Sequence, residues 1–194
     1  TFLDTAIYPV KVDPTFGYTS LGSSASSLLS DSVVLRIGNP GQNGTVDSVS
    51  WGAKEEAGGG SSADWQGGIY DASLNLLSPQ TATGAVNSAT KQFWTLNFTG
   101  GPSVSNANYY VTAFKDYPAD LSNAQYAYDA GGVAGESKYK GGITYNTWSN
   151  PLTGTSNTTI KFSIYATYTA SGGGENVPFT NPNLKSLLLT GVGT

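Results

Sequence analysis

Apolar and polar residues alternate with a period of two along most of the chain. In the stretch 30–41, for example, Val33, Leu35 and Ile37 share one parity, and a Gly-Asn-Pro sequence ends the run. Alternation of this kind, bounded by Gly, Pro, Asn and Ser, is typical of half-buried β-strands between tight turns. The same pattern predicts strands in 45–54, 92–101, 108–118, 141–148 and 157–174, and helical turns only around 24–30 and 119–126.

Many strands that each have one apolar and one polar face predict antiparallel sheets with one face in water. The natural architecture is an all-β, antiparallel Ig-like or pilin-like β-sandwich of about seven to nine strands. A closed barrel or a jelly roll is the alternative. The chain shows no fixed repeat and no linker that separates two domains. We therefore expect an N-terminal arm, residues 1–13, and a single β-sandwich domain, residues 14–194, whose last strand follows a Gly-rich loop at 170–178.

The opening segment, TFLDTAIYPVKVDP, is partly apolar on both of its faces. Such a segment can be the first strand of its own sandwich. It can also complete the sheet of a neighbouring subunit by strand addition, in which main-chain hydrogen bonds hold the strand and pockets take alternate side chains. The missing N–H of Pro9 suits an edge strand better than a central one. One face consists of Phe2, Ala6, Tyr8, Val10 and Val12, interrupted by Asp4, and the other includes Leu3 and Ile7.

Composition argues against several classes of function. Charged residues make up only 11% of the chain, the net charge is −4 and Arg36 is the single arginine, which argues against a nucleic-acid-binding surface. Without Cys or His the chain cannot build a soft-metal site, a thiol nucleophile or a Ser–His–Asp triad. No run of residues approaches the roughly 18 apolar residues of a membrane-spanning helix.

The chain also contains no Met. We therefore expect a processed N-terminus, produced either by removal of a signal peptide or by loss of the initiator Met ahead of Thr1. The absence of the oxidisable residues Cys and Met fits an extracellular protein. Few carboxylates are present that would lose a stabilising partner at low pH, so the composition also fits an acidic environment.

In these features the chain resembles the subunits of archaeal surface filaments, above all the thread filaments of thermoacidophilic archaea. The shared features are a β-rich chain without His, Cys or Met, rich in Ser, Thr, Asn and Tyr, with an apolar N-terminal arm. The resemblance implies a glycosylated structural protein of the cell surface, with no cofactor, whose copies join head to tail by donor-strand complementation for adhesion or cell–cell contact. Its partners are then other copies of itself and N-linked glycans. The resemblance assigns the donor strand to Phe2, Ile7, Tyr8, Val10 and Val12.

Three N-glycosylation sequons are present, at Asn43, Asn97 and Asn157. A chain with this content of Asn, Ser and Thr contains about three by chance, so their number alone proves nothing. Their placement is more informative. Asn43 and Asn157 fall in turn-like stretches, and Asn97 has the outward parity of its strand, so we expect all three side chains to be accessible.

A carbohydrate-binding or adhesin domain that acts as a monomer is an alternative from a different class. Its sugar-stacking platform would use exposed aromatic rings, whereas Trp51 and Trp94 lie on apolar parities and are expected in the core. The candidates for the platform are Trp65, Trp148, Tyr126, Tyr128 and Tyr139.

Catalysis is the least supported class. A glycosidase needs two carboxylates across a cleft, whereas most acidic residues here fall in Gly-rich loops. We therefore expect no catalytic residues and no metal site. A calcium site would have to use Asp116, Asp120 and Asp129, whose spacing matches no EF-hand, and a Lys–Asn isopeptide bond is chemically allowed but cannot be located from sequence. The carboxylate candidates are Glu55, Glu56, Asp64, Asp116, Asp120 and Asp129.

Overall fold

A computed structural model describes residues 13–26, 31–55, 63–116 and 124–171. These residues form 15 β-strands and no helix, and all of them belong to one compact unit, Asp13–Ser171. The strands are β1 (Thr15–Gly17), β2 (Ser24–Ser26), β3 (Ser32–Gly38), β4 (Gly44–Lys54), β5 (Ala63–Asp71), β6 (Leu76–Leu77), β7 (Gly84–Val86), β8 (Gln92–Asn97), β9 (Ser103–Val104), β10 (Tyr109–Lys115), β11 (Gln125–Asp129), β12 (Ser137–Gly141), β13 (Ser156–Thr158), β14 (Lys161–Phe162) and β15 (Ile164–Ala170).

The strands form two antiparallel sheets that pack against each other. The first sheet has eight strands in the order β1-β15-β4-β11-β14, with β2 on β11 and with β8 and β9 on β4. The second has seven strands in the order β13-β12-β3-β10-β5-β6, with β7 on β5. The predicted antiparallel β-sandwich is confirmed. In the described part of the chain, no helix has the length and apolar character needed to cross a membrane.

The core between the sheets is built from the inward parities that the sequence pattern indicated. Val49, Trp51 and Ala53 of β4 are buried, as predicted. Trp51 stacks on Trp65 of the opposite sheet, with ring centroids 5.5 Å apart and planes inclined by 18°. Tyr126 and Trp65 pack in a T-shaped arrangement, with ring centroids 4.8 Å apart and planes inclined by 78°. These large side chains bury much apolar surface, and this burial is the main favourable contribution to folding.

The central strands of the second sheet are buried on both faces, which differs from the predicted wet outer face. Every residue of β10 is buried. A second apolar cluster on the outer face contains Val33, Leu35, Tyr70, Tyr110, Phe114 and Leu152. The segment 142–155 covers this cluster and contributes Ile143, Tyr145 and Trp148 to it.

The prediction of a strand at 141–148 is therefore wrong. Strand β12 ends at Gly141, and the residues that follow form turns and irregular backbone. These residues are apolar because their side chains cover a face of the sheet. Burial of the side chains accounts for the pattern, and no strand pairing is needed to explain it. Gly68 of β5 leaves room for this cover, since a Cβ atom there would lie 2.6 Å from the Trp148 ring.

Candidate functional site

Strand β8 is an edge of the first sheet, and one side of its backbone is open. It pairs with β4 through Ser48↔Asn97 to Ala53↔Gln92, and just beyond it the N–H of Phe98 donates to the carbonyl of Asp47 at 2.9 Å. Because backbone groups alternate in direction along a strand, the even-numbered residues of β8 bond to β4. The N–H and C=O groups of the odd-numbered residues point to the other side, where no described residue pairs with them.

The inward side chains of β8 are apolar and only half-buried. Trp94, Leu96 and Phe98 pack against the main core from its margin, as Leu77 of β6 does from the opposite sheet. Strand β7 comes close to β8 here, since a Cβ on Gly84 would lie 2.4 Å from Cδ2 of Leu96. We call this margin, formed by Trp94 and Leu96 of β8, by Phe98 just after it and by Gly84 of β7, the β8 seam.

The outward side chains of β8 hold the strand in place on β4. Phe93 and Tyr165 pack in a T-shaped arrangement with ring centroids 5.2 Å apart, and the hydroxyl groups of Ser50 and Thr95 are 2.7 Å apart in a hydrogen bond. The indole N–H of Trp94 donates to the carbonyl of Ala53 at 3.2 Å. The strand is thus anchored through both faces while its outer backbone edge stays accessible.

The opposite margin of the sandwich, beside β1, is polar. The Tyr18 hydroxyl donates to Asp129 at 2.8 Å, and the Tyr18 ring lies 5.3 Å from the ammonium group of Lys161 and 5.8 Å from the guanidinium of Arg36. Arg36 also pairs with Glu136 at 3.1 Å. Strands β1 and β3 are in backbone contact at Gly17 and Gly38. The described residues of this margin therefore offer no apolar row comparable with the β8 seam.

The predicted donor-strand residues lie outside the described residues. Phe2, Ile7, Tyr8, Val10 and Val12 all belong to 1–12, as do the other arm residues apart from Asp13. The boundaries of the arm and of the domain at 14–194 stay predictions, as does the last strand after the loop at 170–178.

The three sequon side chains are exposed. Asn43 lies directly before β4, Asn97 ends β8 and Asn157 lies in β13. The Oδ1 atom of Asn157 accepts a hydrogen bond from the ammonium of Lys138 at 2.5 Å. The expected accessibility is confirmed, and whether glycans occupy these positions stays a prediction.

The alternative sugar-stacking platform is not assembled. Trp65 is 0% exposed and Tyr126 is 1% exposed, so both belong to the core. Trp148 packs on Phe114 and its indole N–H donates to Gln66 at 3.0 Å. Of the five candidates, Tyr139 is 36% exposed, and Tyr128 and Trp148 are half-buried against the two apolar clusters. The assignment of Trp65 and Tyr126 to a binding surface was wrong because a period-two pattern does not show which loops and edges are covered.

The carboxylate candidates do not form a metal-binding cluster in the described part of the chain. Asp129 accepts hydrogen bonds from Ser23 and Tyr18. These hydrogen bonds hold the pKa of Asp129 below its ordinary value, and the bond from the backbone N–H of Ser23 has the largest effect. The backbone N–H of Asp116 donates to the carbonyl of Asp64. Glu56 and Asp120 lie outside the described residues.

One buried charged side chain was missed at the level of sequence. Lys115 is fully buried at the end of β10. Its ammonium donates to the carbonyl of Ala124 at 3.1 Å and lies 5.7 Å from the Tyr126 ring centroid. Burial lowers its pKa to about 8, against the opposing effect of Asp31 and Asp116. The signal was present in the sequence, because Lys115 continues the inward parity of Val111 and Ala113.

Comparison with models of known protein families and with curated protein sequences found no match. The interpretation of the site therefore depends on its geometry and on the sequence of the arm. Of the features above, the β8 seam is the one whose chemistry points to a partner. It combines open backbone hydrogen-bonding groups with half-buried apolar side chains.

Proposed function

We propose that the chain is a structural subunit of an extracellular filament whose copies join head to tail by donor-strand complementation. The observation that carries this proposal is the β8 seam. An added strand on β8 would pair the open N–H and C=O groups of the edge and would cover Trp94, Leu96 and Phe98. Both gains are characteristic of recognition by strand addition.

The sequence of the chain supplies a suitable strand in its N-terminal arm. Phe2, Tyr8 and Val10 share one face of the arm, and burying a side chain of this size contributes about 1.5–3 kcal/mol. An interface between the arm of one copy and the body of the next is heterologous. Such an interface extends into an open filament when its rotation does not close a ring.

The exposed sequons fit a subunit of this kind. Glycans at Asn43, Asn97 and Asn157 would project from the sandwich, which suits a glycosylated cell-surface filament that serves adhesion or cell–cell contact. The monomeric carbohydrate-binding alternative has less support, because the Trp65 and Tyr126 rings that it needs at the surface are in the core.

Substitutions in the arm test the proposed function. Tyr8→Asp or Val10→Asp should prevent polymerisation, because a carboxylate would enter an apolar seam without a partner. Lys11→Ala is the matched control and should assemble like the unmodified chain. Filament length by negative-stain electron microscopy and mass by light scattering would measure the effect. A monodisperse, folded monomer of the unmodified chain under all assembly conditions would contradict the proposal.

A further inference from the structure

We propose that the arm of a second copy pairs with β8 in the parallel direction, so that its residues 2–12 run alongside β8 in the order of increasing number. This inference rests on the proposed function and adds the acceptor strand and the direction of insertion. Three observations carry it: the direction of the open backbone groups of β8, the position of Pro9 in the arm, and the charges at the two ends of β8.

The open backbone groups of β8 belong to residues whose side chains point outward. Phe98 donates its N–H to Asp47, so Leu96 and Trp94, two and four residues earlier, also direct their backbone groups to β4. The groups left for a new strand are those of Phe93, Thr95 and Asn97. The side chains of Phe93 and Thr95 contact Tyr165 and Ser50 on the outer face of the sheet.

The arm must turn its more continuous apolar face inward to cover the seam. This face contains Phe2, Ala6, Tyr8, Val10 and Val12. Pro9 then has the outward parity. The direction of pairing decides whether the missing N–H of Pro9 falls on the bonded side of the arm or on its free side.

In an antiparallel pair, residues directly opposite each other point to the same face, and a residue whose backbone groups face the partner strand exchanges both hydrogen bonds with the residue opposite it. The outward residues of the arm would then bond to Phe93, Thr95 and Asn97, and Pro9 would leave one of these bonds unmade. In a parallel pair, a residue bonds to the neighbours of the residue opposite it. The inward residues of the arm then make the bonds, and the Pro9 nitrogen points away from β8. Parallel pairing alone combines an apolar inward face with a complete ladder.

The charges at the ends of β8 favour the same direction. Lys54 and Lys91 line a polar pocket beside the Gln92 end of the strand. Glu55, the residue after Lys54, is the only described acidic residue adjacent in sequence to either lysine. Asp47 lies beside the Asn97 end, bonded to Phe98 and Thr169. Lys11 of the arm has the outward parity, and parallel insertion brings it to the Asp47 end. Antiparallel insertion would place Lys11 beside Lys54 and Lys91, where like charges are unfavourable.

Cysteine pairs can test the direction, because the chain contains no Cys of its own. Gln92 and Asn97 are exposed and about 17 Å apart along the strand, so a short bismaleimide can distinguish them. The full-length variants Thr5→Cys/Gln92→Cys and Lys11→Cys/Asn97→Cys report parallel pairing. The exchanged pairs, Thr5→Cys/Asn97→Cys and Lys11→Cys/Gln92→Cys, report antiparallel pairing. Lys11→Cys with Ser156→Cys, on the edge strand β13 at the far end of the second sheet, is the control.

We expect a ladder of covalent multimers on denaturing gels from the two parallel pairs, and its loss in the exchanged pairs and the control. A ladder from the exchanged pairs would overturn the direction of insertion. Filaments that form but cross-link with no β8 cysteine would overturn the acceptor while leaving the proposed function intact. A product that migrates as a cross-linked monomer would show that the arm binds its own body, and would overturn both.

Discussion

Lys115 places a charged ammonium group in a fully buried position at the end of β10. The carbonyl of Ala124 accepts a hydrogen bond from it, and the Tyr126 ring lies nearby. Both contacts stabilise the cation, and Asp31 and Asp116 favour it as well. Burial nevertheless has the larger effect, so the folded chain releases the Lys115 proton at a lower pH than the unfolded chain.

This difference in pKa predicts a rise in stability between neutral and alkaline pH. The folded pKa is about 8 and the ordinary value is 10.5, so between them the unfolded chain binds a proton that the folded chain does not. The free energy of unfolding should therefore increase with pH, by on the order of 2 kcal/mol between pH 7.5 and pH 9.5 if no other group titrates. Urea titrations of the unmodified chain and of Lys115→Met between pH 7.5 and pH 9.5 would measure it.

The variant Lys115→Met should remove this pH dependence, because Met fills a similar volume and does not titrate. Measurements should stop below pH 10, because burial raises the pKa of Tyr70 and Tyr110 in the folded chain. Above that pH the two tyrosines ionise in the unfolded chain first, and this difference lowers the free energy of unfolding. Parallel pH curves for the two proteins would show that Lys115 has the same pKa in both states.

Among the secondary-structure elements, β8 is a strand in which the same substitution at two neighbouring positions should affect different properties of the protein. The N–H of Leu96 points to β4, whereas that of Thr95 points to the open side. A proline removes one N–H. Its effect in β8 should therefore depend on parity.

We expect Thr95→Pro to leave the fold nearly intact and to abolish filament growth. Thr95→Val is the matched control, because it also loses the hydroxyl bonded to Ser50 but keeps the N–H, and it should polymerise. Leu96→Pro should lower the melting temperature, because it breaks the ladder with β4 and removes an apolar side chain. Thermal melts and electron microscopy would report the two effects separately. Polymerisation of Thr95→Pro at the unmodified rate would exclude β8 as the acceptor.

The strands themselves were largely predictable from sequence, whereas the role of each strand was not. Alternation of Val49, Trp51 and Ala53 correctly indicated a buried face. The same reasoning placed a strand at 141–148, because the apolar residues of a covering segment resemble one parity of a strand. The edge position of β8 depends on which distant strands pair with β4, which local alternation does not record.

At the scale of the whole molecule, stability depends mainly on apolar burial and neutral hydrogen bonds. Only 11% of the residues are charged, and most of the side chains in the two apolar clusters are aliphatic or aromatic. Asp71 and Asp129 are carboxylates for which the fold changes the pKa. Burial tends to raise the pKa of Asp71, but hydrogen bonds from Asn75 and Ser73 outweigh this effect and lower it.

These carboxylates set the expected response to acid. A folded pKa below the ordinary value of 3.8 contributes stability above that pH, and this contribution is lost as the pH falls through the folded pKa. Lys115 adds no further change there, because it is protonated in both states well below pH 8. The melting temperature should therefore be nearly constant from pH 7 to pH 4.5 and should fall modestly below pH 4.

Calorimetric melts from pH 7 to pH 2 would measure this response, and Asp71→Asn with Asp129→Asn should flatten the curve below pH 4. Asparagine keeps the Oδ1 acceptor that Ser23 and Ser73 use. Its NH2 group replaces the Oδ2 atom that accepts from Tyr18 or Asn75, so the double variant should lose the titration together with these two bonds. A steep fall in melting temperature already between pH 6 and pH 4.5 would contradict the argument. It would mean that other carboxylates are paired in the fold strongly enough to control its stability.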